Sequence, residues 1–204
     1  MKILPFFGLA LALATVLFAL SCSTKNNKNS GQALAIPDQI KPEQTLQSVS
    51  LFKAALEGDL SKVSEMVQQG SDVNQTDQDG RTALMYAAFN GHAEVAKILL
   101  AHKTDVNLRD PEGRTALMFA SSGPFPETVK LLLDHQADPN IVDFQEHFTA
   151  LMYAAAEGQL ENVKILLGSK ADPSLKDIDG DNALTFARNN GHLEVARLLE
   201  EMND

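Results

Sequence analysis

Few side chains in this 204-residue chain could carry chemistry. Asp177-Ile178-Asp179-Gly180-Asp181 sets carboxylates at alternate positions, where they could converge on one calcium ion. An EF-hand loop also needs glycine at its sixth position and glutamate at its twelfth, and those positions hold Asn182 and Arg188. His102 and His135 lie 33 residues apart, with Gln69 and Ser169 at the flanking equivalents, so zinc would lack its third and fourth ligands. His92 and His192 each follow a glycine and read as parts of turns. Met85, Met118 and Met152 recur at one interval; a column of thioethers could serve redox chemistry, but apolar packing explains it better. The single cysteine, Cys22, can form no internal disulfide. No Ser/His/Asp or Cys/His set, paired catalytic carboxylates or phosphate-cradling glycine loop emerges outside repeating positions. The chain therefore reads as non-enzymatic, without cofactor or metal.

The repetition itself is the stronger signal. Thr-Ala-Leu-Met begins at Thr82, Thr115 and Thr149, and Asn-Ala-Leu-Thr at Asn182, at intervals of 33, 34 and 33. One interval earlier, Leu51-Phe52-Lys53-Ala54-Ala55-Leu56-Glu57-Gly58 aligns with Leu84 to Gly91. There are thus five units, at about 44–76, 77–109, 110–142, 143–176 and 177–204. In each, a capping residue such as Thr82 opens two apolar turns, glycine turns the chain, and a second amphipathic stretch follows, as with Val95, Ile98, Leu99 and Leu100. Asp105-Val106-Asn107 and its equivalents then lead into a polar loop, where repetition argues for turn stabilisation. Two short helices cannot bury both faces alone, so neighbouring units must cover them.

The run Asp79-Gly80-Arg81-Thr82-Ala83-Leu84-Met85-Tyr86-Ala87-Ala88 through Asp105-Val106-Asn107 resembles the ankyrin repeat, and the resemblance covers residues 44–204. It implies an all-α repeat solenoid of five helix pairs with short β-hairpin fingers, the fingers and first helices lining a concave face that binds a protein. The family's proline after threonine is Ala83, Ala116, Ala150 and Ala183 here, and its histidine two places later is Met85, Met118, Met152 and Thr185. Two irregularities flank one another. Ser122-Gly123-Pro124-Phe125-Pro126 is expected to shorten the first helix of the third unit and bend the path to the second. The next finger, Asp143 to Phe148, is one residue longer and lacks glycine. Partner specificity is expected there.

Ahead of the repeats, Met1-Lys2 and an apolar run to Leu20 form a signal-peptide pattern over residues 1–21. The ending Phe18-Ala19-Leu20-Ser21-Cys22, followed at once by polar residues, resembles a bacterial lipoprotein box, with Ala19 and Leu20 reversed from the commonest order. The resemblance implies that Cys22 carries lipid, a palmitate-type anchor at a membrane of the bacterial cell envelope, facing the periplasm or exterior. Residues 22–43, rich in Asn, Ser, Lys, Gln and Pro, then read as a flexible tether.

A net charge of −10, with no basic stripe to offset it, disfavours nucleic acid. The resemblance places on the binding face Arg81, Phe89, Asn90, Arg114, Phe144, Gln145, Phe148, Glu157, Ile178 and Asn189. Arg and large apolar side chains there are favoured anchors. The expected function is that of a monomeric scaffold binding a protein partner at the envelope. The alternative is an accessory factor for an envelope enzyme such as a peroxide-defence catalase, an analogy at family level.

Overall fold

The computed structural model describes residues 51–202. The signal segment, Cys22, the tether and residues 44–50 of the repeat region lie outside them. Helix α1 occupies residues 51–57, followed by α2 (Leu60–Gln68), α3 (Ala83–Phe89), α4 (Ala93–Leu100), α5 (Ala116–Ser122), α6 (Pro126–Asp134), α7 (Ala150–Ala156), α8 (Leu160–Gly168), α9 (Ala183–Asn189) and α10 (Leu193–Glu201). First helices stack on first helices (α3, α5, α7, α9), and second helices on second helices (α2, α4, α6, α8, α10). The result is the helical repeat solenoid that the intervals imply.

Each first helix starts where it does because its capping oxygen takes an otherwise unpaired N–H. Thr82, Thr115 and Thr149 accept from the Met85, Met118 and Met152 amides at 3.3, 3.4 and 3.2 Å, and Asn182 accepts from Thr185 at 3.1 Å. The methionine sulfurs of Met85 and Met152 accept in return from the Thr82 and Thr149 amides. All three methionines are buried beside Leu84, Leu117 and Leu151, so the thioether column is core. Gly91 and its equivalents Gly58, Gly158 and Gly191 turn the chain with φ between 69° and 79°. At Gly91 a Cβ would also collide with the Phe125 ring.

The Asp-x-Asn motif does two jobs. Asp105 and Asp138 close their own turns by accepting from Asn107 and Asn140 at 3.0 and 2.9 Å. The asparagines then reach into the next unit. Asn74 donates to the Lys103 carbonyl and accepts from the Asp105 amide; Asn107 does the same with Gln136 and Asp138, and Asn140 with Lys170 and Asp172. In the fourth unit the position is Ser174, whose hydroxyl turns back on Asp172 at 2.6 Å.

Two expectations change. Helix α5 runs seven residues, as α3 and α7 do, so Ser122-Gly123-Pro124 does not shorten it. The Ser122 hydroxyl, bonded to the Phe119 carbonyl at 2.9 Å, closes the last turn, and Pro126 starts α6 at a position where a missing N–H costs nothing. The glycine-to-proline change is absorbed by Asn162 of α8, a buried residue whose amide donates to the carbonyls of Ser121 at 3.2 Å and Gly123 at 2.7 Å. The fingers, too, form no named strands among the described residues. Among the described residues β pairing is confined to an isolated antiparallel bridge between Thr76 and Thr82. Each finger is too short for a ladder, and an aspartate side chain takes the amides that a partner strand would.

Candidate functional site

Four fingers begin with Asp77, Asp110, Asp143 and Asp177, and the aspartate is what shapes each. Asp77 Oδ1 accepts from the amides of Asp79 and Arg81 at 2.9 and 3.0 Å, and the Asp77 amide donates to the Arg81 carbonyl at 3.0 Å. Asp110 and Asp177 repeat the pattern. The carboxylates of Asp177-Ile178-Asp179-Gly180-Asp181 are therefore built around a turn, with Asp177 already bonded to two amides. In the glycine-free finger, Asp143 accepts from Glu146, and His147 takes the left-handed conformation, φ 59°, that glycine adopts elsewhere.

A row of aromatic side chains on the first helices, Tyr86, Phe119, Tyr153 and Phe186, forms the floor behind the fingers. Tyr86 and Tyr153 donate their hydroxyls to Asp77 and Asp143 at 2.6 and 2.9 Å, tying finger to helix. Burial, reinforced by the Asp77 carboxylate, pushes the Tyr86 phenol up to about 12, and burial with Asp143 raises Tyr153 as well. Phe119 has no hydroxyl, and the finger beside it is held differently. Buried Asp110 receives the Arg114 guanidinium at 2.7 and 2.9 Å, and Arg81 from the preceding finger approaches to 3.9 Å. Both guanidinium groups also lie over the Phe119 ring, 5.0 and 5.7 Å from its centre.

The expected binding residues therefore divide. Arg81 and Arg114 are half-buried and turned to Asp110, so they serve the fold as well as any partner. Phe148 occupies the same finger position and does the same bridging with an aromatic ring, 5.6 Å from Tyr153 and 4.9 Å from Phe186. Phe89 leans edge-on against Phe119 and stays 40% exposed. Asn90 caps the Leu56 carbonyl at 2.7 Å, together with His92 at 3.1 Å. Gln145, Glu157 and Asn189 are exposed. Phe144 and Ile178 are the most open of the large apolar side chains here, at 59% and 55%. Phe144 rests on the preceding finger, against Gly113 and 4.0 Å from the Arg109 guanidinium. His102 and His135 face away from all this, each bonded through Nδ1 to its own helix carbonyl, Ile98 or Leu131.

Sequence reading missed Arg109, Phe119 and buried Asp110. One signal was available for Phe119, since it stands in an aromatic column with Tyr86, Tyr153 and Phe186.

The family model for "Ankyrin repeats (3 copies)" matches residues 51–143, 111–177 and 151–204. The chain is also similar to the human "Ankyrin repeat domain-containing protein 39", 42% identical over 53 residues, which cover 24% of this chain and 29% of that protein. It thus spans under a third of that relative's length. With five in-phase helix pairs, threonine caps and glycine turns between paired helices, the chain belongs to the ankyrin repeat family.

Proposed function

We propose that this protein is a non-catalytic scaffold that holds a protein partner on its fingers and first helices, tethered by lipid on Cys22 to a membrane of the bacterial cell envelope. The observation that carries the binding face is the pair Phe144 and Ile178, large apolar side chains on adjacent fingers that the fold leaves open. Their burial would be worth roughly 25 cal/mol per Å² covered. Arg81, Phe89, Asn90, Arg114, Gln145, Phe148, Glu157 and Asn189 surround them as secondary contacts or supports.

A photo-crosslinking side chain at exposed Gln145, used in intact cells, is expected to capture one dominant protein. Phe144→Ala with Ile178→Ala should abolish that capture while shifting unfolding by no more than about 0.5 kcal/mol per site, as exposed positions do. Undiminished capture would remove the face from consideration. Phe148 is unsuitable as the probe, because its ring packs between Tyr153 and Phe186 and its loss would unsettle the fold. The anchor has its own test. Cells fed radiolabelled palmitate should label the full chain and leave Cys22→Ala unlabelled; equal labelling of both would place any lipid elsewhere, and none on either would end the tether reading.

A further inference from the structure

The open apolar side chains belong to a row. Pro111, Phe144 and Ile178 each follow the first aspartate of a finger, and each lies on the finger before it. The Pro111 ring sits over Gly80 and Phe144 over Gly113. The Phe144 amide donates to the Glu112 carbonyl at 2.8 Å and the Ile178 amide to the Glu146 carbonyl at 3.2 Å, so successive tips are tied in line. Beside this row runs a second, of Asp79, Glu112, Glu146 and Asp179 at the tips.

The charge of that second row is poorly compensated. Glu112 pairs with Arg114 at 2.8 Å, whereas among the described residues Asp79, Glu146 and Asp179 have no cationic side chain within 4.0 Å. The second helices carry an acidic row too, Glu94, Glu127, Glu161 and Glu194, but there a basic residue follows each one turn on, Lys97, Lys130, Lys164 and Arg197; Lys164 touches Glu161 at 2.6 Å and Lys130 turns to Asp134 at 2.8 Å. In a chain of net charge −10, the field at the fingers favours a cationic partner, whereas along the second helices acidic and basic residues alternate.

We infer that the partner's contacting element is a basic amphipathic helix lying along the line of fingers, an inference that rests on the finger face being the binding surface. Stacked helices stand about 8–10 Å apart, so both rows repeat at roughly that distance. A helix rises about 1.5 Å per residue, placing every seventh residue about 10.5 Å on and on the same face. One helix can therefore set a cation at each fingertip carboxylate and an apolar side chain, one stripe over, on Pro111, Phe144 and Ile178. An extended strand cannot, since its same-face side chains fall at about 6.6 and 13 Å.

Fluorescence anisotropy with the full chain tests this, using a labelled helical peptide with lysine at every seventh position beside a leucine stripe. The comparison is a scrambled peptide of identical composition. The patterned peptide should bind at least about tenfold more tightly, a difference of 1.4 kcal/mol, and lose that advantage with Phe144→Ala plus Ile178→Ala. Asp79→Lys with Glu146→Lys and Asp179→Lys should abolish it too, whereas Glu94→Lys with Glu127→Lys and Glu161→Lys should not. Equal binding of the two peptides, or equal effects of the two charge reversals, would reduce the attraction to bulk charge and overturn the inference. Capture from Gln145 separates this from the proposed function: a captured partner whose contact segment is neither basic nor helical overturns the helix and keeps the scaffold. Unchanged capture after loss of Phe144 and Ile178 overturns both.

Discussion

Asn162→Ala is expected to lower the unfolding free energy by about 3 kcal/mol, because it strips the Ser121 carbonyl of its donor and leaves the Gly123 carbonyl only the Phe125 amide. Asn162 is 1% exposed, and the Ser121 and Gly123 carbonyls it serves belong to the turn where proline has replaced the usual glycine. The informative companion is Asn162→Val. Valine is what the regular units carry at this point of the second helix, as Val95 and Val195. If packing were the only demand, valine would be neutral or stabilising. With the Ser121 carbonyl left unpaired it should still cost about 2 kcal/mol. Urea titration of the variants reads both values, and a stable valine variant would show that the turn satisfies itself. Because each unit touches only its neighbours, the loss should also localise. Hydrogen exchange should quicken first between the third and fourth units.

Asp110→Ala should be comparably damaging, at about 3 kcal/mol, since it removes an almost fully buried carboxylate from the middle of a charged network. Asp110 accepts from the Glu112 and Arg114 amides and holds the Arg114 guanidinium through its second oxygen. Asp110→Asn keeps an acceptor for the amides but not the charge, so about half the loss should return. The same change at Asp77 or Asp143 should be milder, because each of those carboxylates faces a tyrosine hydroxyl and not a guanidinium. Thermal unfolding of the three asparagine variants ranks them directly. Equal losses at all three would mean that Arg114 contributes nothing through Asp110.

What the sequence disclosed follows from the range of the interactions involved. The Thr-Ala-Leu-Met phrase exposes the caps at Thr82, Thr115 and Thr149 because capping spans three residues. The turns at Gly58, Gly91, Gly158 and Gly191 are equally local. Asn162 could not be read in that way, since the carbonyls it meets lie 39 and 41 residues earlier. Its only trace was an amide where the second and fifth units carry Val95 and Val195. The hairpin form of the fingers was an expectation from the resemblance, and among the described residues its strand pairing is the Thr76–Thr82 bridge, with an aspartate side chain closing each turn. At the proposed binding face, the resemblance put Phe144 and Ile178 in the open, where they are, but gave Arg81, Arg114 and Phe148 more freedom than they have. Arg114 turns back on its own finger, while Arg81 and Phe148 reach Phe119 and Phe186 across the joint to the next unit, where a partner is invisible within one repeat.

The asparagine ladder has a consequence for how long such a protein can be. Asn74, Asn107 and Asn140 each reach forward, so every unit that carries one asks for a successor. At Ser174, in the fourth unit, the hydroxyl folds back on Asp172 instead. In the language of polymers, the three asparagines are propagating links. Duplication of an inner unit copies its own link along with it, and the number of units is free to drift without new contacts having to evolve.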